Sequence, residues 1–333
     1  MIIKNVKLSK GFLFLKPELI ISTDSKKISL QNNFNESEVI KLNDSLKDFN
    51  LNSFQDFIKL KNNLKWLDEE RYYSLEKALF NSLTSPWKFF NPGVKQVPRP
   101  MSVLISKSIG ISEFILFSLN AKSFDAAISA NRDVIDLLNK KLKNLDSMKE
   151  EDILILIKEC IDEEHNLIDF ELRIGVKFNN FKDPDYVYND RKLNTEEQLK
   201  FVSKLIDKYS VCYVENPFVE SDLDHYKKLK SEFGKKCLIS LNSIIGEYGK
   251  AIDKKAINTA VVDCKDISDF NSNISFLSDK EMNIVAISET SYVDMIVGLG
   301  VPLIKLNRDK NSEEVIKRLH KIYEEIKIIN DSK

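Results

Sequence analysis

The first part of the chain combines short strand-like runs with amphipathic helical stretches. Three runs bounded by turn or polar residues predict strands: IIKNVKLS, GFLFLKPELIIS and KKISLQNN. Helical spacing of apolar and charged residues follows over 36–48 and 53–65, and again from Asp68, where acidic residues occupy the first turn. These elements predict a small α+β unit.

This pattern stops at the segment SPWKFFNPG. Pro86, Pro92 and Gly93 interrupt helices and strands alike. A chain of 333 residues is long enough to form two hydrophobic cores. We therefore predict an N-terminal domain over residues 1–96 and a second domain over residues 97–333.

Strands and helices alternate in the second domain. MSVLIS and EFILFSL are close enough to form a hairpin, and helices are predicted over 124–144 and 150–164. Six apolar strands follow in IDFELRIGVKF, SVCYVENPF, KKCLISLNS, INTAVVDC, MNIVAIS and VPLIKLN, with helices over 195–209, 222–233, 246–255 and 312–328. This alternation predicts an α/β fold with a parallel sheet covered on both faces. Together with the hairpin, eight strands can close a barrel.

Charge and hydropathy exclude several classes of protein. The chain has 50 Lys and Arg against 51 Asp and Glu, so nothing favours nucleic acid or an acidic membrane as the partner. The lysines over 140–149 alternate with Leu142 and Leu145 at helical spacing, which indicates a solvated helix face. Lysines interrupt the apolar N-terminus, which lacks the pattern of a signal peptide or a membrane span. We expect a cytoplasmic protein.

The cysteines are widely spaced and form no CxxC pair. They are Cys160, Cys212, Cys237 and Cys264, three of them in or beside apolar runs. This distribution indicates reduced core thiols rather than disulfides or zinc ligands.

Functional side chains of such a barrel lie at the carboxyl ends of its strands. In this sequence those ends contain Lys177, Glu215, Leu241 to Ser243, Asp263 to Lys265, Ser288 to Ser291, and Lys305.

Several segments in this order resemble enolase. VENPF ends the second strand of the βα series, where the family carries S-I-E-D-P-F. EFILFSLNAKSFDAA is similar to the family's E-F-M-I-x-P-x-G-A-x-T-F, KKAINTAVVD to its K-x-x-x-N-x-x-L-L-x-K, and VGLGVPLIK to its V-G-L-G-x-x-x-I-K. The resemblance covers about residues 97–329 in register, and the shortened N-terminal domain more loosely. It implies an enolase-type ββαα(βα)6 barrel, similar to a TIM barrel.

The resemblance also implies a glycolytic reaction, the interconversion of 2-phosphoglycerate and phosphoenolpyruvate by a lyase. Two Mg²⁺ ions hold the developing enolate, a lysine removes the proton, and a carboxylic acid assists the loss of hydroxide.

Most of the metal ligands implied by the resemblance are replaced. At the three carboxylate positions the chain has Lys177, Glu215 and Leu241, so only Glu215 is retained. One carboxylate beside an ammonium group does not hold Mg²⁺ in an octahedral site. Asn242 or a shifted register could substitute at the Leu241 position. We therefore expect no cofactor, and Mg²⁺ only if the protein is a divergent enzyme.

The base and the substrate-binding segment differ as well. Asp263 stands at the position of the base lysine, with Lys265 one layer higher on the same face. The region of the general acid contains Glu163 and Glu164, which are consistent with a charged helix end. The family's S-H-R-S segment is replaced by Ser288-Glu289-Thr290-Ser291, which lacks an anion-binding arginine.

Glu113, Ser291 and Lys305 remain at positions that the resemblance implies are catalytic or substrate-binding. Strand-start and barrel-mouth charges without a catalytic role are an alternative explanation for Glu113 and Lys305. Because the signs at Lys177 and Asp263 are exchanged relative to the family, these two residues are predicted to pair and to neutralise the former metal site.

Two interpretations follow. In the first, the chain is an enolase-like protein without phosphopyruvate hydratase activity, and the resemblance implies a homodimer or a heteromer with an active enolase. In the second, it is a divergent enolase, or another lyase or isomerase that uses Lys177, Lys265 or Lys305 as the base and Glu215 as its partner.

Overall fold

The structure is a computed structural model of the chain. It describes residues 1–9, 18–31, 34–83, 85–91, 93–142, 145, 148–165, 167–242, 245–263 and 267–331. Two compact units are present. The first contains the described residues of Met1–Lys95, Cys264–Ser272 and Ser291–Gly300, and the second those of Gln96–Asp263, Asn273–Thr290 and Val301–Lys333. The boundary predicted after residue 96 stays a prediction.

An antiparallel sheet and three helices form the N-terminal part of the first unit. The strands are β1 (Ile3–Leu8), β2 (Leu19–Thr23) and β3 (Lys27–Leu30), and the helices are α1 (Glu36–Leu46), α2 (Phe54–Asn63) and α3 (Glu69–Asn81). Asn35 and Asp68 cap the amino ends of α1 and α3 by accepting hydrogen bonds from backbone N–H groups of the first turn. The acidic start predicted at Asp68 therefore marks a real helix boundary.

The second unit contains a closed barrel. The remaining described strands are β4 (Arg99–Ser106), β5 (Ile111–Leu119), β6 (Glu171–Phe178), β7 (Phe181–Lys182), β8 (Asp185–Val187), β9 (Lys192–Leu193), β10 (Val211–Glu215), β11 (Leu238–Leu241), β12 (Thr259–Asp263), β13 (Asn283–Ile287) and β14 (Leu303–Leu306). Around the barrel their order is β10-β11-β12-β13-β14-β4-β5-β6, and β5 alone runs antiparallel to its neighbours. The predicted α/β barrel opened by a hairpin is confirmed.

Helices connect the barrel strands. They are α4 (Phe124–Lys141), α5 (Glu150–His165), α6 (Thr195–Tyr209), α7 (Leu223–Phe233), α8 (Ile245–Asp253), α9 (Ile267–Asp279), α10 (Val293–Gly298) and α11 (Lys310–Asp331). Three of the described features were not predicted from the sequence: α9, α10, and the small sheet of β7, β8 and β9 that follows β6.

Apolar side chains fill the interior of the barrel. The buried cluster consists of Met101, Val103, Ile115, Phe117, Tyr213, Val261 and Val285. Alternate residues of a strand face opposite sides of a sheet, so these positions fix which strand residues point into the barrel. Glu215, two residues beyond Tyr213, therefore faces the same interior.

Within the described residues, no helix is long and apolar enough to cross a membrane. Cys160, Cys212 and Cys237 are free thiols, and Cys264 lies outside the described residues.

Candidate functional site

Four charged side chains of alternating sign meet where the parallel barrel strands end. They are Glu113, Lys177, Glu215 and Lys305, which we call the charge cluster. Lys177 Nζ lies 3.2 Å from Glu113 Oε1 and 3.4 Å from Glu215 Oε1. Lys305 Nζ lies 3.0 Å from Glu113 Oε2 and 3.0 Å from Glu215 Oε2. Each ammonium group therefore bridges the two carboxylates.

Strand register brings three members of the cluster side by side. Glu113 on β5 is the neighbour of Lys177 on β6, and Lys177 is the neighbour of Glu215 on β10. Lys305 comes from β14, which is separated from β5 by β4, so its long side chain extends toward the two glutamates. Barrel closure is thus required to complete the cluster.

The layer beneath the cluster depends on Gly175. A Cβ atom at this position would lie 2.7 Å from Phe117 Cε2 and 3.0 Å from Tyr213 Cβ. The rings of Phe117 and Tyr213 pack with centroids 5.5 Å apart. The Tyr213 hydroxyl donates a hydrogen bond of 2.7 Å to Glu215 Oε2. The absence of a side chain at Gly175 therefore leaves room for the tyrosine that supports Glu215.

The cluster is largely removed from water. The side chain of Glu215 is 0% exposed and that of Lys305 3%, against 18% for Glu113 and 20% for Lys177. A buried charge is tolerated only when it is paired and hydrogen-bonded. The alternating signs, two carboxylates against two ammonium groups, meet this requirement.

The neighbouring charges keep Glu215 and Lys177 ionised. Burial acts to raise the pKa of the Glu215 carboxyl, but the ammonium groups of Lys305 and Lys177 outweigh it and hold this pKa below its ordinary value. Burial acts to lower the pKa of Lys177, but the carboxylates of Glu215 and Glu113 raise it above its ordinary value. Burial raises the pKa of Tyr213 well above its ordinary value, so its hydroxyl stays a donor.

Both oxygens of Glu215 are engaged by donors. Oε2 accepts from Tyr213 and Lys305, and Oε1 accepts from Asn242 Nδ2 at 3.3 Å and lies beside Lys177. Mg²⁺ would need several free oxygens in octahedral geometry, and the nearby ammonium groups would repel it. The residues around Glu215 therefore do not fit a Mg²⁺ ion.

Asn242, and not Leu241, supplies the polar side chain from the end of β11. Leu241 is buried and has no ligand atom, whereas Asn242 contacts Glu215. Asn242 is used here as a hydrogen-bond donor to Glu215, so its role as a substitute metal ligand stays a prediction.

Lys177 pairs with other residues than predicted. In the described part of the chain its ion-pair partners are Glu113 and Glu215, so the predicted pair with Asp263 is wrong. Asp263 ends β12, and β10 and β11 separate that strand from β6. Glu113 and Glu215, in contrast, lie on β5 and β10, the two strands directly beside β6, so both are within reach of Lys177.

The other predicted residues lie elsewhere. Ser291 belongs to a 3-10 helix, Thr290–Tyr292, and is part of the first compact unit. Ser243 and Lys265 are outside the described residues. Glu163 ion-pairs with Lys141 on α4, as a charged residue near a helix end does. Tyr213 was missed, although its spacing of two from Glu215 on one strand indicates a shared face.

The sequence of the barrel is similar to that of one known protein family. A family model described as "Enolase, C-terminal TIM barrel domain" matches residues 167–319. This segment includes β6, β10 and β14 and therefore three members of the charge cluster.

Individual relatives are distant. Enolase of Archaeoglobus fulgidus is 27% identical over 217 residues, which are 57% of this chain and 54% of the relative. Enolase of Methanosphaera stadtmanae is 28% identical over 194 residues, 49% of this chain and 47% of the relative. Enolase of Methanothermobacter thermautotrophicus is 24% identical over 280 residues, 69% and 66% of the two chains. The chain thus spans about half the length of the first two relatives.

Proposed function

We propose that this chain, which is similar to the C-terminal barrel domain of enolase and to curated enolases, is a divergent, enolase-like protein without phosphopyruvate hydratase activity. The observation that supports this proposal is the position of Lys177, whose ammonium group bridges Glu113 and Glu215. A fixed cation of the protein itself then does what metal does in a metalloenzyme, which is to neutralise the carboxylates at the barrel mouth. The protein needs no Mg²⁺ under this proposal.

The base of the reaction is lacking under the same proposal. Asp263 stands where the resemblance implies a lysine, and its carboxylate replaces an amine. Lys177 is a poor substitute, because its pKa is raised by Glu215 and Glu113 whereas a lysine base needs a lowered pKa. Lys305 is 3% exposed and its ammonium group bridges two carboxylates. To act as the base it would have to start as the neutral amine, which would lose both ion pairs.

An activity assay tests the proposal directly. The purified chain is mixed with Mg²⁺ and 2-phosphoglycerate, and phosphoenolpyruvate is followed by its absorbance, with an active enolase as the positive control. We expect no turnover and no rise of the melting temperature with Mg²⁺. Turnover that depends on Mg²⁺ would favour the divergent enzyme instead.

We propose in addition that the protein acts as an assembly partner, either as a homodimer or with an active enolase. The first unit offers a groove of about 470 Å³ between β1 and α1, beside Ile40, which is 64% exposed. An exposed apolar side chain next to a groove favours a protein contact. Ile40→Glu should lower the molar mass measured by light scattering if a second copy covers this groove. The matched control is Leu167→Glu, which changes an apolar residue of the second unit that is 79% exposed.

A further inference from the structure

The barrel has a cavity at the end opposite the charge cluster. Its volume is about 540 Å³, and it opens where the parallel strands begin. Leu238 and Leu303, the first residues of β11 and β14, line it, as does Leu119 at the end of the antiparallel β5. Small-molecule sites usually measure about 300–1,000 Å³, so this volume is sufficient for a ligand.

The inner surface of the cavity is apolar. Among the lining residues, Phe117 belongs to the buried core cluster of the barrel, and Leu119, Leu238 and Leu303 pack against that cluster. The ring of Phe117 packs against Tyr213, which in turn donates a hydrogen bond to Glu215 on the side of the barrel mouth. The buried Phe117–Tyr213 layer therefore separates the cavity from the charge cluster, and the two are distinct sites.

The outer part of the cavity is cationic. Arg99, Lys235 and Lys236 line it, and no Asp or Glu is among the lining residues. Lys236 is engaged by Asp207, with Nζ 2.6 Å from Oδ1. Arg99 and Lys235 are exposed, and neither has an ion-pair partner in the part of the chain that the structure describes. Two cations are thus available beside an apolar surface.

We propose that this cavity binds a small amphiphilic anion, with its apolar body against Phe117, Leu238 and Leu303 and its anionic head beside Arg99 and Lys235. Burial of apolar surface supplies affinity, and the uncompensated positive charge selects the head group. The proposal does not depend on whether the barrel mouth is catalytic, because the lining residues are not part of the charge cluster.

Isothermal titration with a matched ligand series tests the site. The probes are decanoate, decanol and decyltrimethylammonium, which share the alkyl chain and differ in the charge of the head. We expect saturable binding of decanoate at one site, with decanol at least about tenfold weaker and the cation weaker still. Added salt should weaken decanoate binding, because the head group lies at the exposed rim.

Variants locate the site on the protein. Arg99→Gln and Lys235→Gln should each weaken decanoate binding by about fivefold to tenfold, since each removes one charged contact. Lys254→Gln, a change of an exposed lysine outside the cavity, is the matched control and should leave binding unchanged. Leu303→Trp should abolish binding by filling the cavity. The two glutamine variants keep the test valid even if the tryptophan variant does not fold.

Three results would overturn the proposal: no saturable binding of decanoate, equal affinity for decanol and decanoate, or binding that Arg99→Gln and Lys235→Gln leave unchanged.

Discussion

Lys177 and Glu215 are direct neighbours on two parallel strands, with their charged atoms 3.4 Å apart. The resemblance to enolase implies a metal-binding carboxylate at each position, yet here one of the two is an ammonium group. The neighbouring strands thus place opposite charges where two like charges would need a metal between them. Several measurements can test how the ammonium group of Lys177, in place of a carboxylate, affects the stability and metal binding of the protein.

Removal of Glu215 should destabilise the protein strongly. Glu215→Gln leaves the buried ammonium group of Lys305 and the partly buried one of Lys177 with a single remaining carboxylate, and breaking a buried pair costs about 3–5 kcal/mol. Urea unfolding measures the loss. The control is Glu313→Gln, which breaks an exposed pair with Arg132 and should cost at most about 1 kcal/mol. Similar losses in both variants would show that the cluster contributes little stability.

Replacement of Lys177 by aspartate should create sensitivity to Mg²⁺. Lys177→Asp puts a third carboxylate beside Glu113 and Glu215, so like charges repel unless a cation binds. We expect a lowered melting temperature that Mg²⁺ partly restores, by about 1.4 kcal/mol at ten times its Kd. Lys177→Met is the control, because it removes the ammonium group without adding a ligand. An equal response of both variants to Mg²⁺ would contradict the interpretation that Lys177 substitutes for metal.

Stability should fall at both ends of the pH range. The folded pKa of Glu215 lies below its ordinary 4.5, so its contribution is present above pH 4.5 and is lost as the pH falls through the folded value. The folded pKa of Lys177 lies above its ordinary 10.5, so its contribution is present below pH 10.5 and is lost as the pH rises through the folded value.

The free energy of unfolding, measured with denaturant at several pH values, checks both the acidic and the alkaline loss of stability. The difference in stability between the natural chain and Glu215→Gln should shrink below pH 4.5, and the difference from Lys177→Met should shrink above pH 10.5. Differences that stay constant across the whole range would contradict the ionised cluster.

The glycine beneath the cluster should tolerate no side chain. Gly175→Ala puts a Cβ atom 2.7 Å from Phe117 Cε2, and overpacking of this kind costs about 1–3 kcal/mol. Gly249→Ala on α8 is the matched control, because a Cβ atom there meets nothing within 4 Å. Since alanine favours helix, that variant should be neutral or more stable by up to about 1 kcal/mol. Chemical denaturation should therefore show that the free energy of unfolding falls in Gly175→Ala, whereas in Gly249→Ala it stays the same or rises.

Cys212 should react slowly with a disulfide reagent in the folded protein. Burial raises the pKa of its thiol to about 12, so little thiolate is present at pH 8. Burial raises the pKa of Cys160 and Cys237 as well. The number of thiols that react is measured by the absorbance of the released reagent. Cys212→Ser should leave the number that react quickly in the folded protein unchanged and should lower by one the number that react in urea. A lower number of quickly reacting thiols in the folded variant would show that the Cys212 thiol is accessible.

The sequence determined most of the secondary structure, because periodicity and caps are local properties. The helix predicted over 195–209 matches α6, which Asn194 caps, and the βα alternation led directly to the barrel. The small sheet of β7, β8 and β9 could not be predicted in this way, since strands of two or three residues have no measurable period.

The same local pattern placed Glu113, Lys177, Glu215 and Lys305 near strand ends, but it did not decide which of them pair. The sequence alone suggested that Lys177 meets Asp263, whereas the barrel puts Lys177 between two strands that carry glutamates. Register across neighbouring strands and the closure that brings in Lys305 are long-range properties. Only the tertiary structure therefore decided that two ammonium groups neutralise Glu215, because side chains distant in sequence become neighbours when the sheet closes.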